Sequence, residues 1–102
     1  MAQHPTLIRI FGFLSSLGLH VEERAIARET LVSGVDIVGG ELIVDEPSLC
    51  MPADVLHEAA HILLTPAVER AALHNPLLSS PAEEMSAIAW TWAAATHLQL
   101  DP

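Results

Sequence analysis

The sequence predicts one α+β domain, on three observations. Apolar residues recur at helical spacing towards both ends of the chain, and between residues 20 and 46 they give way to short β-branched runs flanking two glycines. The length, 102 residues of which 51% are hydrophobic and 17% charged, suffices for one core with no second lobe.

The elements follow in order. From Pro5 to Leu19 the apolar residues Leu7, Ile10, Phe11, Leu14 and Leu17 keep a helical period, and Gly18 is the stop. VDIV and ELIVD, on either side of Gly39 and Gly40, are the arms of a hairpin in a small sheet, because paired glycines supply the positive φ angles of a tight turn. Pro52 opens a second helix through Leu64, with Asp54 in its first turn, where negative charge suits the helix dipole. Pro66 starts a short third helix ending at the turn His74 to Pro76. In SSPAEE, Ser80, Pro81 and Glu83 stand at N-cap, N1 and N3, a capping box that begins the last helix, which runs to about Leu98.

Charge and composition exclude whole classes of function. Four basic residues against thirteen acidic ones give a net charge of -9, which repels nucleic acid and anionic lipid. No segment has the roughly 20 apolar residues needed to cross a bilayer. LIRIFGFLSSLGL lacks the marks of a signal peptide: Arg9 interrupts it, no basic residue precedes it, and no small-x-small site follows. A single cysteine, Cys50, forms no internal disulfide and fits a reducing compartment. The expectation is a soluble cytoplasmic protein, apolar enough to leave room for a homo-oligomer.

The chemistry concentrates in DVLHEAAHILL, residues 54–64. Side chains four apart on a helix lie one turn above each other, so His57 and His61 converge and can grip one metal ion. Glu58 is rotated about 100 degrees from His57, placed to act on water that zinc acidifies rather than to bind the ion itself. A catalytic zinc takes three protein ligands and leaves a position open. Glu84 is the candidate third ligand. Glu83 is committed to the capping box, and Glu84 shares its side of the helix with Ala87, Ile88, Thr91 and Ala95, a face small enough for another helix to approach. The plain alternative makes His57 and His61 ordinary helix residues and Glu58 a partner in solvated ion pairs.

With HEAAH (His57, Glu58, His61) and EMSAIAW (Glu84 to Trp90), the chain resembles the zincin metallopeptidases. Within them it is similar to the gluzincins and ImmA/IrrE-like proteins, whose third ligand is a glutamate on a downstream helix. The resemblance implies a minimal zincin-like core spanning residues 1–102 and one Zn2+ per chain on His57, His61 and Glu84. It implies Glu58 as general base and a peptide or protein as substrate. It also likens ELIVD, Glu41 to Asp45, to the strand on which such enzymes lay the peptide. The chain departs from the pattern in carrying Ile88 where an acidic or amide residue often follows the alanine of the glutamate helix. It has no tyrosine to donate to an oxyanion, and no third histidine after HEAAHILLTPA as metzincins have. A second class of function, a non-catalytic metal-binding or sensing module, would keep His57, His61 and Glu84 but has no use for Glu58.

Six further residues have expected places. His74 is a turn histidine, His97 lies about 220 degrees around its helix from Glu84, Cys50 is a bystander, and Trp90 and Trp92 serve the core or an oligomer contact. Asp54, one turn before His57, either orients that ring or serves the helix start.

Overall fold

Helix α1 (Pro5–Ser16) begins where His4 Nδ1 accepts the Thr6 N–H at 3.1 Å, in a computed structural model that describes residues 4–75, 77 and 79–100. Its buried face is Leu7, Ile10 and Leu14. It ends at Gly18 in a Schellman arrangement: φ is +84°, the Gly18 N–H donates to the Ser15 carbonyl, and the Leu19 N–H donates to that of Leu14.

The sheet has three strands, β1 (Val21–Glu23), β2 (Val35–Val38) and β3 (Glu41–Val44), in the order β1-β3-β2. β2 and β3 form the expected hairpin, with Val35 opposite Val44 and Val38 opposite Glu41, and Gly39 and Gly40 both at positive φ. β1 runs parallel to β3 on its other side. One expectation is corrected here. ELIVD cannot receive a peptide, because β3 is the central strand and both of its backbone edges are occupied by β1 and β2.

The sheet alternates as a two-sided layer should. Val35, Ile37, Leu42 and Val44 join Leu7, Ile10 and Leu14 of α1 and Val55, Leu56, Ala59 and Ile62 of the middle helix in one core. On the other face Ile43 and Asp36 are buried, and Arg28 forks onto the Asp36 carboxylate from above. That pairing keeps a buried charge hydrogen-bonded rather than stranded.

Helix α2 (Ala53–Leu63) carries HEAAH, and α3 (Pro81–His97) packs against it more extensively than any other two elements pack. The capping box is present: the Glu83 N–H donates to Ser80 Oγ at 3.1 Å, and the Ser80 N–H donates to Glu83 Oε1 at 3.2 Å. Ala59 and Ala60 of α2 and Ala87 of α3 are fully buried, the small residues that permit a close approach. Between these helices the expected short third helix is a 3₁₀ helix, Ala67–Ala72. Only six residues separate Pro66 from the extended Leu73, too few to propagate an α-helix.

The 3₁₀ segment crosses the hairpin tip. Arg70 ties it to the end of α2 by donating to the carbonyls of Thr65 (2.9 Å) and Leu63 (3.0 Å), and its own carbonyl leaves no room at Gly40, where an added Cβ would lie 2.3 Å from it. Gly40→Ala, with φ at +76°, is expected to destabilise the fold by at least about 2 kcal/mol. Gly12→Ala on open α1 should stabilise it by roughly 0.5–1 kcal/mol, since nothing lies within 4 Å of an added Cβ. Denaturant unfolding of the two variants measures both.

Beyond the tip the chain runs along β2's outer edge. Val38 bridges His74, the Asn75 N–H donates to the Ile37 carbonyl at 3.0 Å, and Arg28 donates to the Asn75 carbonyl at 3.2 Å. His74 is exposed, as expected of a turn histidine, and is held there because its Nδ1 accepts the Gly39 N–H at 3.0 Å. Pro76, the end of the expected turn, lies outside the described residues.

Candidate metal centre

Placing His57 and His61 one turn apart on α2 turns both rings towards the start of α3, with ring centroids 5.3 Å apart. The Glu84 carboxylate meets them with a different oxygen each: Oε1 is 2.8 Å from His57 Nε2, and Oε2 is 3.2 Å from His61 Nε2. A tetrahedral zinc with bonds of about 2.0–2.1 Å separates its ligand atoms by roughly 3.3 Å. The observed spacing is close to that. The carboxylate and the two histidines are donors of the kind that could hold a metal ion.

Glu58 completes the cluster without sharing that contact. Its carboxylate and the two histidines offer ligand atoms within 4.8 Å of one another, the one such group of histidine, cysteine and acidic residues among the described residues. Glu58 is only 7% exposed, which contradicts the plain alternative of a carboxylate in solvated ion pairs. A cavity of about 590 Å³ between residues 23–25 and 44–47 contains none of these residues, whereas His61 lines one of about 280 Å³ with Thr65, Glu83 and Ser86.

The two carboxyls titrate in opposite directions. Burial pushes Glu58 above its ordinary range, against the opposing pull of His61, His57 and the side-chain amide of Asn75, and the charge of Glu84 adds to the upward push. Around Glu84, desolvation also works upward, but the hydrogen bond with His57 and the charge interactions with His61 and His57 outweigh it and hold Glu84 below its ordinary range. Two carboxyls pushed apart in this way suit two roles, one remaining ionised as a ligand and the other able to take up a proton.

Exposure is graded across the site. The His61 side chain is nearly enclosed and the Glu84 side chain is the most open of the three, so the cluster is sealed on one flank and accessible on the other. Ser79 Oγ lies 3.5 Å from His61 Nδ1, where it can accept that ring's second N–H and orient Nε2 towards Glu84.

Comparison of the chain with protein-family models, with curated proteins and with solved structures returned no match. The site therefore has to be judged on its own geometry.

The expected site residues His57, Glu58, His61 and Glu84 are all brought together. Asp54 stands in the first turn of α2. His97 is turned away and packs against Phe13 with ring centroids 5.4 Å apart, while Cys50 is an exposed free thiol. Sequence reasoning missed Ser79 and Asn75. Neither stands at a recognisable spacing from the motif, and each reaches it only through the path of the segment after the 3₁₀ helix.

Proposed function

We propose that this chain is a minimal zinc-dependent peptidase with a zincin-like core. One observation carries the proposal: a buried carboxylate, Glu58, with raised proton affinity lies beside two histidines that share a second, ionised carboxylate, Glu84. A site that only stored metal would gain nothing from burying Glu58, which costs stability at neutral pH. His57, His61 and Glu84 would hold one zinc ion. The bound ion supplies Lewis-acid polarisation of a scissile carbonyl and acidifies water. Glu58 accepts a proton from the attacking water and returns it to the leaving amine. The absence of tyrosine leaves stabilisation of the oxyanion to a histidine, a backbone amide or the ion itself.

A second reading, a metal-binding or sensing module without hydrolysis, is favoured by a different observation. His74 and Asn75 already pair with the outer edge of β2, an edge that an extended peptide would otherwise use. Incubating the zinc-loaded protein with an unstructured protein such as casein separates the two. New fragments in the mass spectrum that disappear with a chelator and return with zinc are the expected result. Intact casein beside fully metallated protein would favour the sensing module.

A further inference from the structure

The last helix packs Trp90 partly buried against the core but turns its other large apolar side chains to solvent. Only Ala87 and Ala94 of α3 are buried, while Met85 (71% exposed), Ile88 (50%) and Trp92 (65%) form a stripe at positions i, i+3 and i+7 on the outer face. Ser86, Ala89, Ala93 and Thr96 are the other exposed residues beside that stripe. No Asp, Glu, Lys or Arg occurs from Met85 to Leu100, on a chain whose net charge is -9. A helix apolar on all sides belongs in an interior, and depletion of charge is the mark of an interface centre.

We propose that this face is the two-fold interface of a homodimer, with α3 packed antiparallel against α3 of a second copy. Two features select that occupant. First, the strip is uncharged, so two chains that repel elsewhere can meet there without apposing like charges, whereas a lipid-binding helix would present lysines and arginines beside its apolar face. Second, the stripe is self-complementary. With the axis between residues 88 and 89, Met85 faces the partner's Trp92 and Ile88 faces the partner's Ala89, so large side chains meet an aromatic ring or a small residue. A groove of about 370 Å³ adjoins the strip at Trp92, with Met51 and Arg9 also on its walls.

The proposal does not depend on metal or on hydrolysis.

Sedimentation velocity of the full chain, in reducing buffer so that the exposed Cys50 bridges nothing, tests it from nanomolar to submillimolar concentration. A species of twice 11.0 kDa in the parent, replaced by 11.0 kDa in Ile88→Lys/Trp92→Lys with unchanged circular dichroism, is expected. Should the double variant unfold, Ala89→Cys in a Cys50→Ser background gives a second measurement: mild oxidation should link two chains through the residue nearest the axis. A parent that stays at 11.0 kDa throughout would overturn the proposal, as would a dimer indifferent to both lysines and unlinked at residue 89. A monomer that co-sediments with neutral phosphatidylcholine vesicles would assign the face to lipid instead, and would equally overturn it.

Discussion

Glu84→Ala is expected to lower zinc affinity by roughly 10²–10⁴-fold, because it removes one of three protein donors from a site of the class whose total binding energy is about 10–16 kcal/mol. The loss should be specific to this position. Glu84 bridges both histidine Nε2 atoms, whereas the adjacent Glu83 donates nothing to the cluster and spends its carboxylate on the Ser80 N–H. Glu83→Ala should therefore leave zinc affinity intact and cost about 1 kcal/mol of helix-start stability. Competition titration against a chromophoric chelator measures the affinities, and thermal unfolding measures the cap. Were Glu83→Ala alone to strip the metal, the third ligand would be the wrong glutamate.

Glu58→Gln is the second large effect, and it should separate holding a metal from using it. The substitution preserves shape but cannot accept the proton, so hydrolysis should fall by about 10²–10⁴-fold while zinc remains at one per chain. Its effect on stability has the opposite sign. A carboxyl whose folded-state value is raised above the ordinary 4.5 weakens the fold progressively as pH climbs from the unfolded value through the folded one, and is without effect below both. Metal-free Glu58→Gln should accordingly melt higher than the parent at neutral pH and equal to it in acid below the unfolded value. A variant that loses activity and gains stability is what a buried functional carboxylate predicts. Loss of both would mark Glu58 as a structural residue.

Much of this arrangement was legible because local rules and tertiary packing agree. Pro5 and Gly18 bound α1, paired glycines at positive φ close the hairpin, and Ser80 with Glu83 cap α3 as their spacing demands. HEAAH on a helix brings His57 and His61 together by geometry alone, and freeing Glu84 from capping duty left it as the donor able to meet them. What was illegible depends on contacts between distant residues. β1 is three residues long with both of its glutamates exposed, so nothing in VEE betrays a strand that pairs with β3 and makes it central. The pairing of His74 and Asn75 with β2, and with it the nearness of Asn75 to Glu58, follows from the route of the chain over Gly40 and Arg70 rather than from any periodicity. The stripe of Met85, Ile88 and Trp92 was hidden for another reason. The face of the last helix expected to meet another helix included Ile88, which the structure leaves half exposed beside Met85 and Trp92.

Metal content by elemental mass spectrometry, on the purified chain after exposure to zinc and removal of excess, tests the central claim most directly. About one zinc per chain, absent from a His57→Ala control, is the predicted result. A parent as empty as the control would contradict the account, leaving HEAAH a helix face and Glu58 a buried acid without a task.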